Sequence, residues 1–112
     1  MRPDDRVRML HIRDASESVR RFVLGRQRSD LDSDEMLLFA LVRAIEIIGE
    51  AASRVSDETR QAFPAVPWSE VVAMRNRLVH AYHNVNHDIL WKTATVEVPA
   101  LAASLPRLAD HE

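Results

Sequence analysis

Apolar side chains recur every three or four residues along most of the chain, which is the spacing of one face of an α-helix. The sequence has no run of alternating β-branched residues, the usual mark of a strand, and only two glycines. The pattern therefore predicts an all-α protein of four to five helices in a single domain, residues 1–112.

The first predicted helix begins at Pro3 or Asp4 and ends near Leu24. Proline suits the first turn, where its missing N–H would have no partner, and Gly25 suits the stop. The side of this helix expected to face the core carries Val7, Leu10, Ala15, Val19 and Phe22. The charged segment that follows, residues 25–32, is predicted to be a loop.

The second predicted helix begins at a cap among Asp32, Ser33 and Asp34 and runs to about Val55. Its polar residues fall within a sector of about 80° at 100° per residue. They are Glu35, Arg43, Glu46, Glu50 and Ser53. The remaining circumference is apolar, which is wider than the stripe of about 100° that a surface helix needs. The helix therefore lies in the middle of the bundle or meets another subunit, and we expect a homodimer.

A short helical turn, residues 57–62, is predicted next, with Ser56 as its cap and Pro64 at its end. A further helix, residues 68–83, follows Pro67. The last helix is expected to begin after a turn at residues 84–86, with an asparagine as its cap.

The apolar seam of the last helix is formed by Leu90, Ala94, Val98, Leu101, Leu105 and Leu108. We expect Pro99 to bend this helix, because proline removes the backbone donor that would reach Thr95. Trp68 and Trp91 occupy apolar positions, so they are predicted to anchor the core rather than to stack on bases.

Composition limits the function further. Cysteine is absent, which excludes disulfides and thiol catalysis. The longest apolar run, residues 36–42, is far short of the roughly 20 residues of a membrane span, and no signal-peptide core follows the charged N-terminus. We therefore expect a cytoplasmic protein without a membrane partner. The net charge is −2, so any contact with RNA needs a local basic patch.

Residues 74–83 hold the densest set of reactive side chains, including the only tyrosine. The imidazole of His80 can exchange a proton near neutral pH. Arg75 can clamp a phosphate, and Arg77 would add to the positive field. This combination suits attack of an RNA 2′-hydroxyl on a phosphodiester without a metal. A solvated helix end with scattered polar groups is the alternative.

Five residues separate Arg75 from His80, or about 140° around a straight helix. The two side chains therefore converge only if the helix is irregular near His80 or if the site combines residues of two chains. A symmetric dimer that places two copies of the segment around one cleft supplies the second possibility.

Arg75-Asn76-x3-His80 resembles the Arg-polar-x3-His motif of HEPN domains, helical bundles that include metal-independent ribonucleases. The longer form, Arg75-x4-His80-x-Tyr82, resembles the signature of the HepT branch, the toxins of HepT/MntA toxin–antitoxin pairs. Three further features are similar to the family pattern: residues 45–52, the segment Pro67-Trp68-x5-Met74-Arg75-Asn76, and Trp91.

The resemblance implies a HEPN-type up-and-down bundle of four to five helices, and a homodimer whose paired motifs line a cleft at the subunit interface. His80 would then be the acid and base of RNA cleavage, Arg75 the phosphate clamp, and Asn76 a positioning residue. The implied partner is an MntA-like minimal nucleotidyltransferase antitoxin of a type VII system, which transfers AMP to Tyr82. The added charge and bulk would block the site. No cofactor is implied.

Two supporting assignments stay open. Glu50 and Arg43 could approach Arg75 and orient it, or Arg43 could form an intrahelical pair with Glu46, three residues on. The spacing of His80, His83 and His87 would suit a metal on a continuous helix. The predicted turn interrupts that face, so we expect no metal and place His83 and His87 at a polar rim.

A non-catalytic function is the alternative to the ribonuclease. In that case the protein is a helical dimer that serves as a docking and modification partner for a nucleotidyltransferase. The acidic balance of the chain favours this alternative, because proteins that act on RNA are more often basic.

Overall fold

The computed structural model describes residues 1–79 and 85–108, and every regular element within them is helical, which confirms the all-α prediction. The helices are α1 (Pro3–Val23), α2 (Asp30–Ser33), α3 (Glu35–Ser53), α4 (Asp57–Ala62), α5 (Trp68–Val79), α6 (His87–Lys92) and α7 (Val98–Ser104). A π-helical segment, Thr93–Glu97, joins α6 to α7. Among the described helices, none is long and apolar enough to cross a membrane.

Helix α1 has the predicted bounds, but its buried face is different from the predicted one. Proline occupies the first turn, and Gly25 beyond the end has a positive φ of 72°. The buried residues are Asp5, Met9, Ile12, Ala15, Ser16 and Val19. Val7 is 44% exposed and Phe22 is 36% exposed, so the prediction was wrong at both positions. The polar residues Asp5 and Ser16 belong to the buried face, so in the sequence this face is less apolar than the predicted one.

Asp5 is the buried carboxylate of this face, 3% exposed. Its Oδ1 accepts a hydrogen bond from the backbone N–H of Ser56 at 2.9 Å. Its Oδ2 accepts from the hydroxyls of Ser56 at 2.5 Å and Thr59 at 2.7 Å. Burial raises the pKa of Asp5, but these hydrogen bonds and the charge of Arg2 outweigh it and hold the pKa below its ordinary value. The carboxylate thus fastens the start of α1 to the first turn of α4.

The segment predicted as a loop contains helix α2, so the loop prediction for residues 25–32 was wrong in its second half. The turn is stabilised by Leu31, which is buried in the core. Asp30 accepts the backbone N–H of Gln27 at 2.8 Å and the Arg26 guanidinium at 3.2 Å. Short helices of this kind depend on one tertiary contact, which a local pattern does not reveal.

Helix α3 packs against α1 on one side and α5 on the other. Asp34, one of the three predicted caps, accepts the backbone N–H of Leu37 at 3.0 Å. The bundle covers most of the wide apolar surface of α3, with Leu41 and Ile45 fully buried. The remaining face bears the charged stripe and also two large apolar side chains, Met36 and Phe39, which are 83% and 60% exposed.

The caps of α4 and α6 are as predicted. Ser56 accepts the backbone N–H of Thr59 at 3.3 Å at the start of α4. Asn86 accepts the backbone N–H of Ile89 at 3.0 Å at the start of α6. The predicted end of α5 near His83 lies outside the described residues.

The apolar seam of the last helix is confirmed, because four of its six residues are buried and the other two are partly buried against the core. Instead of a simple proline bend, the structure has the π-helical segment just before Pro99. The backbone N–H of Val98 donates to the carbonyl of Thr93, five residues earlier. One widened turn thus precedes the residue that has no N–H to donate.

Candidate functional site

The best-defined part of the candidate site is the contact between Arg75 on α5 and Gly49 on α3. A methyl group placed on Gly49 would lie 2.5 Å from the Cβ of Arg75, well inside van der Waals contact. Only glycine therefore lets α5 approach α3 this closely. Glycine at this position fixes where the stem of Arg75 leaves the bundle.

The guanidinium of Arg75 has no anionic partner among the residues that the structure describes. Within residues 1–79 and 85–108, Arg75 has no hydrogen bond and no ion pair, although its side chain is half-buried. Neighbouring arginines are paired, as Arg77 and Arg54 show. An arginine that is held by its stem and has no anionic partner is suited to bind an anion.

His80, Tyr82 and His83 lie outside the described residues. The convergence of Arg75 and His80, and the roles assigned to His80 and Tyr82, therefore stay predictions. The described chain reaches this segment from α5 and leaves it at Val85, so the segment lies between the end of α5 and the start of α6.

Arg77 contacts a residue of the π-helical segment. Its guanidinium donates to both carboxylate oxygens of Glu97, at 3.0 and 3.2 Å. Glu97 also accepts the hydroxyl of Thr93 at 3.0 Å. The charge of Arg77 is thus offset, and this arginine ties the end of α5 to the last helix. Asn76, the predicted positioning residue, is exposed beside it.

Glu50 contacts a different arginine from the one expected. Its carboxylate lies 3.5 Å from the guanidinium of Arg54, one turn further along α3. In the described part of the chain Glu50 has no ion pair with Arg75, and Arg43 has none with Glu46. No ion pair between Glu50 and Arg75 in the described chain supports the orienting role of Glu50, which stays a prediction.

His87 lies in a polar cluster at the start of α6. Its Nδ1 is 2.8 Å from Oδ1 of Asp32, and Arg28 bridges Asp32, at 2.8 Å, and Asp88, at 2.6 Å. The hydrogen bonds from His87 and then Arg28 lower the pKa of Asp32. The described residues contain no group of three side chains that could hold a metal. Sequence reasoning missed this cluster, whose one local sign is the four-residue spacing of Arg28 and Asp32.

Both tryptophans pack against the core. Trp68 is buried, donates its indole N–H to the carbonyl of Phe63 at 3.1 Å, and has the Arg60 guanidinium 5.8 Å from its ring. Trp91 is half-buried against the core. The prediction that both anchor the core is confirmed.

Comparison with known proteins bears directly on the Arg75 motif. The family described as "Ribonuclease HepT-like" matches residues 12–108, which include Gly49, Arg75 and the whole motif. The chain belongs to the HepT-like ribonuclease family. The resemblance drawn from the motif is thereby confirmed.

Individual relatives cover most of the chain. "Probable ribonuclease HepT" from Thermococcus cleftensis is 35% identical over 97 residues, 87% of this chain and 88% of the relative. A candidate RNase of Caldanaerobacter subterraneus subsp. tengcongensis is 36% identical over 91% of both chains. A candidate RNase of Methanocaldococcus jannaschii is 34% identical over 80% of this chain and 83% of the relative. No solved structure matches the chain significantly.

Proposed function

We propose that this protein is the toxin of a toxin–antitoxin pair and cleaves RNA without a metal. The observation that carries the proposal is Arg75, which has no anionic partner in the described part of the chain and is fixed by Gly49 just before the motif histidine. Membership in the HepT-like ribonuclease family supports it. The guanidinium would bind the non-bridging oxygens of the scissile phosphate and offset the charge that develops in the transition state.

In the proposed reaction the 2′-oxygen of a ribose forms a bond to the adjacent phosphorus, and the bond from phosphorus to the 5′-oxygen breaks. A base removes the proton of the 2′-hydroxyl, and an acid protonates the departing 5′-oxygen. His80 carries one of these transfers. A second copy of His80 across a two-fold axis would be available for the other, because one chain supplies only half of the site.

The exposed apolar residues of α3 support the dimer. Met36 and Phe39 are large side chains left uncovered on a helix that is otherwise packed against α1 and α5. Burying an aromatic side chain of this size contributes about 2 kcal/mol. A second copy that meets the first two turns of α3 would remove both side chains from water in each protomer and leave the later turns of the charged stripe uncovered.

The decisive experiment follows cleavage of a 5′-labelled RNA by the purified protein in the presence of a chelator. His80→Ala and Arg75→Ala are expected to lose roughly a hundredfold or more in rate while keeping the helical circular dichroism signal. Arg107→Ala removes a charge elsewhere and serves as the control. Unchanged cleavage by His80→Ala would remove that residue from the mechanism.

We also propose that a nucleotidyltransferase antitoxin silences the site by adding AMP to Tyr82. The phenol lies two residues after His80 in sequence, so the added phosphate would oppose the field of Arg75. Intact mass of the protein produced together with its genomic neighbour tests this proposal. A mass increase of one or more AMP units, lost in Tyr82→Phe, is expected, and an unchanged mass argues against it.

The net charge of −2 favours a second candidate, a dimer that only docks and receives the modification. The pairing of Arg77 with Glu97 also favours it, because it reduces the positive field near Arg75. A folded, unmodified dimer that leaves RNA intact, yet still gains AMP on Tyr82, would establish this candidate instead.

A further inference from the structure

A cleft of about 420 Å³ opens between α1 and α3, on the charged stripe of α3. Helix α1 contributes Arg8 and His11 to its walls, and α3 contributes the remaining residues. Those are Arg43, Ile47, Glu50, Ala51 and Arg54. Three guanidiniums thus face one carboxylate, in a chain that has 17 acidic and 15 basic residues.

Two of the three arginines have no partner within residues 1–79 and 85–108. The carboxylate of Glu50 is engaged by Arg54 at 3.5 Å. In the part of the chain that the structure describes, Arg8 and Arg43 have no hydrogen bond and no ion pair. Each of these guanidiniums offers a planar fork of donors, which fits the oxygens of a phosphate. The cleft is therefore electropositive and its donors are free to bind an anion.

The position of the cleft relates it to the candidate site. Glu50, in its wall, directly follows Gly49, which touches Arg75. Consecutive residues of a helix point about 100° apart, so the cleft and Arg75 lie on adjacent faces of α3, roughly 10 Å apart around a helix of that diameter. A single polyanionic strand can span that distance, whereas one free phosphate cannot.

Resting on the proposed ribonuclease function, we propose that Arg8 and Arg43 form a subsite for a phosphodiester of single-stranded RNA, away from the bond that is cleaved. The apolar floor of Ile47 and Ala51 provides a surface for a ribose or a base edge. The subsite explains how an acidic protein holds RNA: the strand meets a local pair of arginines that have no acidic partner among the described residues, rather than a basic surface. Arg8 and His11 precede residues 12–108, which the family matches, so the family match assigns no role to this wall.

Binding of an about 12-nucleotide 2′-O-methyl RNA, which lacks the attacking hydroxyl, tests the subsite by fluorescence anisotropy between about 50 and 200 mM salt. For a single strand each lost phosphate contact reduces the slope of log K against log salt by about 0.7. Arg8→Gln with Arg43→Gln is therefore expected to reduce the slope by about 1.4 and to weaken binding roughly tenfold at the lowest salt. Arg107→Gln removes one charge outside the cleft and is expected to leave the slope unchanged.

Cleavage kinetics provide a second readout. With a long RNA the double variant is expected to raise KM and keep kcat, because the subsite binds the substrate without touching the reacting atoms. With a dinucleotide, too short to reach the cleft, variant and wild type are expected to be equal. If the wild type cleaves RNA and the double variant keeps the wild-type salt slope and KM, the subsite is wrong, whereas the proposed function stands. A wild-type protein that neither binds nor cleaves RNA overturns the proposed function together with the subsite.

Discussion

The contact between Gly49 and Arg75 predicts that Gly49→Ala damages the site without removing any catalytic group. The new methyl would lie 2.5 Å from the Cβ of Arg75, whereas carbon atoms prefer about 3.5–4.0 Å. Helix α5 must therefore move away from α3 by about 1 Å or more. Because Cβ is fixed to the backbone, a change of rotamer cannot relieve the contact.

The expected free energy follows from two opposing effects. Overpacking a tight contact costs about 1–3 kcal/mol, and alanine gains about 1 kcal/mol over glycine in a helix interior. The free energy of unfolding should fall by about 1 kcal/mol, which urea denaturation measures. A displacement of about 1 Å at a catalytic group can reduce the rate roughly a hundredfold, so the loss of cleavage should greatly exceed the loss of stability.

Moving the glycine from α3 to α5 gives the matched control. Gly49→Ala combined with Arg75→Gly removes the clashing Cβ and should recover the packing, although the added glycine costs about 1 kcal/mol in α5. Activity should stay lost, because the guanidinium is gone. If Gly49→Ala is as stable and as active as the wild type, the proposed close approach of α5 to α3 is wrong.

Three further predictions concern the buried carboxylate, the dimer and the affinity for RNA. Asp5→Asn should lower the free energy of unfolding at pH 7 by about 3 kcal/mol, because a buried carboxylate that accepts three hydrogen bonds is lost. The control Asp4→Asn changes an exposed residue and should alter the free energy of unfolding by less than about 0.5 kcal/mol. Because the folded pKa of Asp5 is depressed, its contribution is present above pH 3.8 and lost as the pH falls through the folded pKa, and urea titrations of the wild type and Asp5→Asn should converge there. Phe39→Glu should shift the protein from dimer to monomer in light scattering at micromolar concentration, and an unchanged mass would place the interface elsewhere. Glu97→Gln should raise RNA affinity severalfold by leaving the Arg77 charge uncompensated, and an unaltered affinity would show that Arg77 lies away from the strand.

Local chemistry predicted the helix boundaries well. Ser56, Asp34 and Asn86 all cap helices as expected, because a cap is a contact between residues three apart in sequence. The buried face of α1 was predicted wrongly, since the polar residues Asp5 and Ser16 belong to it, and the hydrogen bonds that satisfy Asp5 come from residues about 50 positions away.

The sequence predicted which residues form the candidate site, but it did not predict the contacts that surround them. The motif spacing led to Arg75 and to the family. The role of Gly49, the pairing of Arg77 with Glu97, and the meeting of Arg8 and Arg43 in one cleft arise only when distant helices pack together. No local pattern contains that information, because each contact joins residues at least 20 positions apart.

The π-helical segment changes the direction in which the side chains of the last helix point. Core residues spaced by four, such as Leu90, Ala94 and Val98, drift by about 40° per step around a regular α-helix. A widened turn uses more residues per revolution and cancels part of that drift, so the early and late parts of the seam face the same core. Deleting one residue between Thr93 and Glu97 would restore a regular helix and turn the carboxylate that holds Arg77 by about 100°. The length of this turn, more than its composition, keeps the end of α5 attached beside the motif.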